Sequence, residues 1–511
     1  MAAPFMPSDV ARTIRAVLDH RATAAADAPF VINPQDGAVL TYGAVRDRAR
    51  RVAAALLRLG YRPGESIAFA LTNGPDAACV LLGLFYGGYR AVAVNRVAGP
   101  ATIGYVLEHS ESRAVISQPV HEALLGEAMA TGEVALGIVS AAALLEDGTD
   151  ATLPGPPAAA DDGLLMYTSG TTGRPKGVRL TQSNLVAGGE TPTEAHRLTD
   201  KDRALCVLPF YHINGLCVTL LAPLVSGGSV IMPERFSASG FWDMVRRHQC
   251  TWFSVVPTQI SYLLHGPEQA QGDRRGLENV RFARSASAPL APEVQTAFED
   301  RFGIPVVETM GLTETAAQIL SNPLPPGARK IGSPGIAYGN DVIIADPAQR
   351  PVPAGTEGEI LVRGPNVMAG YLKNADATQA ALTADGWLRT GDLGRMDVDG
   401  YVFVTGRLKE LIIKGGENIA PREIDEALYA HPAVIEAAAF ARPCPDYGQR
   451  VEAGVAVKED AGVTEADLLT LCAKRLGAFK TPDRIHFLTE LPKGPSGKIQ
   501  RMKLADLVSE R

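Results

Sequence analysis

"YTSGTTGRPKGV" spans residues 167–178 and directly follows the apolar "GLLM" of residues 163–166. A stretch so rich in glycine and small hydroxyls is neither a packed strand nor a stable helix. It reads as a loop shaped around an anion. Glycines, Gly170 and Gly173 among them, let backbone N–H groups converge into a nest. The hydroxyls of Thr168, Ser169, Thr171 and Thr172 can donate to phosphate oxygens, and Lys176 adds a charge suited to a polyphosphate. A generic Gly/Thr surface turn is the plain alternative. The Walker pattern GxxxxGK[ST] is absent.

Working outward, the chain has 511 residues, which predicts several structural units, and 46 % of them are hydrophobic, enough for several cores. A formal charge of −7 argues against a bulk electrostatic grip on nucleic acid or on an acidic membrane surface. The six cysteines are widely spaced, which predicts buried free thiols rather than a disulfide framework. The nine histidines are scattered and show no zinc pattern. The start lacks an apolar core of signal-peptide length. The longest greasy stretch, "CVTLLAPLVSGGSVIM" (217–232), is broken by Pro223, Gly227 and Gly228 and is too short to span a bilayer. A cytoplasmic protein without stable membrane insertion is expected.

Helix and strand patterns alternate from residue 9 onward. "VARTIRAVLDHRA" reads as a helix, "FVINPQDGAVLTY" as a strand pair, and "YGAVRDRARRVAAALLRLG" as an amphipathic helix carrying Val52, Leu56 and Leu57. After the Pro/Ala-rich connection of residues 150–162 and the opening motif, a second α/β run follows. From about residue 330 the texture turns to short strands and turns, and the last hundred residues read as a small α/β unit. The expected fold class is α/β: a large N-terminal domain of layered α/β subdomains plus a β-rich subdomain, with a small mobile α+β C-terminal domain.

Further motifs stand downstream in a fixed order: "LPFYHINGL" (208–216), "SASAP" (285–289), "ETMGLTE" (308–314), "RTGDLG" (389–394), "TGRLKELIIKGGENIAP" (405–421) and "LPKGPSGKIQR" (491–501). With the opening loop, this series resembles the signatures of the acyl-adenylate-forming (AMP-binding) superfamily, which includes acyl-CoA synthetases, adenylation domains and beetle luciferases. The resemblance covers nearly the whole chain.

It implies a role for each motif. The opening loop would grip the phosphates of ATP. Ser287, Ala288 and Pro289 would run along the adenine and acyl pocket, with Thr309, Met310 and Gly311 beside them. Thr313 would touch the α-phosphate and Glu314 would hold Mg²⁺, as a hard cation bridging phosphates wants a carboxylate oxygen. The family carries tyrosine where this chain has Met310, so a thioether would replace an aromatic stack on adenine. Asp392 and Arg407 would hold the ribose, since a carboxylate can accept two hydrogen bonds from a vicinal diol. Lys409 falls at the family's hinge, dividing an N-terminal domain of residues 1–406 from a C-terminal lid of residues 407–511. Gly415 and Gly416 match the glycines that let the pantetheine chain of CoA pass close to backbone. Lys498 would enter the site when the lid closes. His212 matches a histidine lying against the substrate and the thiol tunnel.

The implied reaction is ATP-dependent acid:CoA ligation through an enclosed acyl-AMP, with ATP, Mg²⁺ and coenzyme A required. The alternative acceptor is the phosphopantetheine of a carrier protein. A non-enzymatic adenylate-binding regulator is disfavoured, because Lys176, Glu314, Asp392, Arg407 and Lys498 are all present. His212, Asn214, Met310 and Gln318 are the candidate acid pocket. The nearest resemblance is to ligases of small acids, the oxalate type included, which place histidines near Asn214 and Gln318. Amides keep hydrogen-bonding capacity but lose the positive charge, so a small monoacid, hydroxylated or not, is expected over a dianion.

Overall fold

The computed structural model describes residues 10–147, 152–168, 174–265, 275–458, 461–494 and 499–509. Helix Ile14–Ala24 starts at Thr13, whose side chain accepts from the Ala16 N–H. Such a cap contributes about 1 kcal/mol. Helix Tyr42–Arg58 is capped in the same way by Thr41 and buries Val45, Ala49, Val52 and Leu56 on one face. Helix Pro75–Tyr86 is apolar all round because it is enclosed, with Ala77 to Tyr86 all buried. It approaches its neighbour closely at Gly83, where a Cβ would lie 2.6 Å from Val52 Cβ.

Two large sheets form the body. A seven-stranded sheet carries Ser66–Ala70, Arg90–Ala93, Ala114–Ser117 and Gly137–Ser140 in parallel. Asp162–Thr168 joins parallel to Arg90–Ala93, and Lys176–Thr181 returns antiparallel beside it. A nine-stranded sheet is parallel through Ser229–Ile231, Arg203–Cys206, Trp252–Val255, Phe282–Ser285 and the start of Val306–Leu312. Its parallel strands are covered on both faces, which accounts for their near-continuous apolar composition. One face packs in the largest core with Trp252 and Phe282; the other packs in a second core with Phe253 and Phe298.

The β-rich texture read after residue 330 becomes a four-stranded antiparallel sheet of Asp341–Ala345, Glu357–Arg363, Leu388–Met396 and Val402–Arg407. A boundary drawn before Arg407 would cut its last strand, since Arg407 pairs with Asp392 across the ladder. A turn at residues 408–410 follows. The chain then enters a separate five-stranded sheet that includes Ile412–Lys414, Val434–Cys444 and Gly448–Val457, with helices Pro421–Tyr429, Glu465–Leu476 and Arg501–Ser509. This small unit has its own cores, one around Ile424, Leu428 and Val455, the other around Phe440 and Leu504.

Five of the six cysteines are buried free thiols, and Cys444 is half-buried. Among the described residues no helix is long and apolar enough to cross a membrane.

Candidate functional site

The opening motif is the connection of a β-hairpin. Thr168 and Lys176 face each other at the ends of the two strands, and the loop joins them. Ser169, Gly170, Thr171, Thr172 and Gly173 lie outside the described residues. At the loop's far end Lys176 Nζ sits 5.0 Å from the centre of the Tyr371 ring. Tyr371 belongs to the short strand Gly370–Tyr371, which pairs antiparallel with Lys176–Thr181. Its hydroxyl donates to Glu314 Oε1 at 2.9 Å. Burial first, and then the Glu314 carboxylate, push the phenol pKa upward, so it stays a proton donor. Lys176, Tyr371 and Glu314 thus form one continuous polar line. Thr313 and Glu314 sit together in a single 3-10 turn, Thr313–Thr315, at the end of strand Val306–Leu312.

That strand end opens onto a cleft of about 1440 Å³, measured out to open solvent. Ser287, Ala288, Pro289, Thr309, Met310, Gly311, Asp392 and Arg407 all line it. Eight residues from four separate motifs therefore share one cavity. It lies at the carboxyl ends of parallel strands, where open α/β sheets bind ligands. Ser287 adopts φ +74°, an uncommon conformation for a residue with a side chain, held where its loop borders the cleft. Gly311 is sterically required: a Cβ there would lie 1.4 Å from the Ala317 carbonyl oxygen. Arg407 Nε donates to Asp392 Oδ1 at 2.5 Å, and Nη2 reaches Oδ2 at 3.4 Å. Burial works to lower the Arg407 pKa, but Asp392, Glu410 and Glu314 raise it overall, which secures the charge.

Glu410 of the connecting turn and Arg422, Asp425, Glu426, Ile499 and Arg501 of the small unit add to the wall. Lys498 itself lies outside the described residues. Its neighbour Ile499 borders the same cleft as Asp392 and Arg407, and Ile499 bridges antiparallel to Lys493. On the far side of Lys498 in sequence, Arg501 donates to Asp425 Oδ2 at 2.7 Å. On the near side, Lys493 Nζ lies 2.8 Å from Glu436 and donates to the hydroxyl of Tyr262, on the large unit, at 3.0 Å. Arg475 of the small unit pairs with Glu293 of the large one at 3.1 Å.

Lys409 is exposed in the turn between the two units. Gly415 and Gly416, at φ +60° and +87°, form the hairpin turn between Ile412–Lys414 and Glu417–Ile419. They do not line the cleft. His212 is half-buried with its ring 4.8 Å from that of Tyr211. Of the candidate acid pocket only Met310 lines the cleft. Asn214 and Gln318 are buried behind it, and both amide oxygens accept hydrogen bonds from Arg284.

Sequence reasoning missed Tyr371, Arg284 and Glu308. The signal for Arg284 was present, since it directly precedes "SASAP" as a lone cation in an apolar strand. Tyr371 lies far from Glu314 in sequence and no local pattern marks it. Glu308 was quoted inside its motif without a role; it lines the cleft, fully enclosed, with burial pushing its pKa up. No cluster of three or more metal-ligating side chains occurs among the described residues.

Comparison with known proteins agrees with this geometry. Residues 18–372 match the AMP-binding enzyme family and residues 423–498 match the AMP-binding enzyme C-terminal domain. A sulfoacetate–CoA ligase from Cupriavidus necator is 49 % identical, covering 97 % of this chain and 98 % of its own. An oxalate–CoA ligase from Arabidopsis thaliana is 35 % identical over 92 % of this chain and 94 % of its own. The crystal structure of ATP-bound MatB from Rhodopseudomonas palustris superposes with a TM-score of 0.89 at 28 % identity, covering 98 % of this chain and 99 % of that one. The chain belongs to the AMP-binding enzyme family.

Proposed function

We propose that the protein is an AMP-forming acid–thiol ligase that joins a small carboxylic acid to coenzyme A at the expense of ATP. In the first half-reaction a carboxylate oxygen attacks the α-phosphorus of ATP, the bond to pyrophosphate breaks, and an acyl-adenylate forms. Nucleophile and phosphate are both anions, so the site must offset their repulsion. Lys176, Thr313, the loop hydroxyls and Lys498 supply donors and charge for this. Asp392 and Arg407 orient the ribose. Glu314 would hold Mg²⁺, which neutralises phosphate charge when bound. One half-buried carboxylate oriented by Tyr371 fits an ion that takes its other ligands from phosphates and water. Enclosure between the two units keeps water from the acyl-adenylate.

In the second half-reaction the thiol of CoA attacks the activated carbonyl, a C–S bond forms, and AMP leaves with its phosphate oxygen. The small unit would turn about Lys409, withdraw Lys498 and carry Gly415 and Gly416 toward the cleft. We divide the units at the turn of residues 408–410. Support for this turning comes from two placements: the flank of Lys498 borders the cleft while the two glycines stand away from it.

The observation that carries the reading is the shared cleft, in which the ribose pair, the adenine-loop residues and the flank of Lys498 meet. Its test is a panel of short carboxylic acids assayed for AMP release with and without CoA. AMP release that depends on an acid and rises with CoA, together with a mass-identified acyl-CoA, is expected. AMP release unchanged by CoA, or transfer only to a phosphopantetheinyl protein, would overturn the assignment of CoA as acceptor.

A further inference from the structure

Arg284 is the largest charged side chain in the interior, 2 % exposed. It stands at the end of strand Phe282–Ser285, beside Ser254 of the neighbouring strand. Its Nη1 donates to Asn214 Oδ1 at 3.0 Å and to Ser254 Oγ at 3.1 Å. Its Nε and Nη2 donate to Gln318 Oε1 at 3.4 and 3.3 Å. All three acceptors are neutral. Among the described residues no carboxylate forms an ion pair with it, and burial alone lowers its pKa, to about 9. Its charge in turn acts on His196, which is held well into the neutral range by burial first and then by Arg284. An enclosed guanidinium without a counter-charge is costly to keep.

The amides add to the imbalance. A guanidinium only donates, so both amide oxygens must face it. That turns the N–H₂ of Asn214 away from Arg284, and it is buried without a hydrogen-bond partner among the described residues. The cluster also adjoins the cleft. Gln318 pairs across the ladder with Gly311, and the strands of Ser254 and Arg284 lead directly to Val256 and Ser287; Gly311, Val256 and Ser287 line the cleft, and Arg284 stands behind them.

We propose that Arg284, positioned by Asn214 and Gln318, binds a second anionic group, a sulfonate or carboxylate, at the far end of a short bifunctional acid. This rests on the acid–CoA ligase reading above. It reverses the expectation of a monoacid: the amides of Asn214 and Gln318 carry no charge because they serve a guanidinium that does.

The test compares kcat/KM for sulfoacetate and malonate with that for acetate and propanoate in the full-length enzyme. The wild type should favour one or both dianions. In Arg284→Met the dianion-to-monoacid ratio should fall roughly 100-fold or more, the scale expected for truncating a buried charge partner. Gln318→Glu keeps the local volume and supplies an internal counter-charge, so it should collapse the ratio as well, and it carries the test if Arg284→Met does not fold. Arg284→Lys should restore part of the preference. Sulfoacetate against malonate distinguishes sulfonate from carboxylate as the group bound. Equal losses on both acid classes, leaving the ratio unchanged, would reduce Arg284 to a structural role and overturn the proposal. A wild type that activates monoacids as well as dianions would overturn it too while leaving the ligase reading intact; a wild type that activates no acid of any kind overturns both.

Discussion

The hydroxyl of Tyr371 donates to Oε1 of Glu314 at 2.9 Å, joining an edge strand of one sheet to the turn that closes a strand of another. The bond fixes the carboxylate proposed to hold Mg²⁺. Tyr371→Phe removes it and keeps the ring beneath Lys176. A hydrogen bond to a charged group is worth about 1.5–3 kcal/mol. The KM for ATP should therefore rise by about tenfold or more, and the Mg²⁺ concentration for half-maximal rate should rise with it. Steady-state titrations of ATP and Mg²⁺ check both, and unchanged values would mean that Glu314 needs no such support.

Asp392 is 4 % exposed and has Arg407 as its ion-pair partner. Arg407→Ala would leave that carboxylate without its counter-charge. The Arg407 side chain is about a third exposed, so solvent screening reduces the loss to about 1–3 kcal/mol. A lower melting temperature and weaker AMP binding should appear together in calorimetry. Arg407→Lys should recover stability better than binding, because an ammonium keeps the charge and loses the fork.

Glu308 is buried at the cleft; its Oε1 accepts from the Leu290 N–H, and its Oε2 has no hydrogen-bond partner among the described residues. Burial, the largest influence, raises its pKa above the ordinary carboxylate range. The folded chain therefore holds this proton more tightly than the unfolded chain does. Stability is lost as pH rises from the unfolded pKa through the folded one, and the loss is complete above it. Glu308→Gln should raise the melting temperature at pH 8 and leave it nearly unchanged at pH 4. A gain of equal size at both pH values would show that ionisation is not the cause.

Lys498 is proposed to act in adenylate formation alone. Lys498→Ala should abolish AMP formation from acid and ATP yet retain much of the transfer from a supplied acyl-adenylate to CoA. Single-turnover assays of each half-reaction separate the two. Parallel loss of both would require a different role for this lysine.

Much of the fold could be read because its signals are local. Helix Tyr42–Arg58 shows its buried stripe in its own spacing, and the parallel strands announce themselves by apolar runs between turn residues. That Asp392 and Arg407 share the cleft was legible for a different reason: both lie in ordered motifs. Tyr371 was not legible, since only the pairing of Gly370 with Arg179 and of Tyr371 with Val178 brings it to Glu314. Arg284 was marked as a lone cation among Phe282, Ala283 and Ser285, but nothing local tells that its neighbours in space are two amides and a hydroxyl. The amides at 214 and 318 were visible as letters, but their meaning depended on a cation that three-dimensional packing supplies.

The seam between the two units has a thermal consequence. A nucleotide lodged there would touch both walls and so act as a staple between bodies whose contacts among the described residues include the Tyr262–Lys493 and Glu293–Arg475 pairs and side-chain hydrogen bonds to main-chain carbonyls. Without it the small unit is free to melt by itself; with it, the two bodies should come apart in one concerted event.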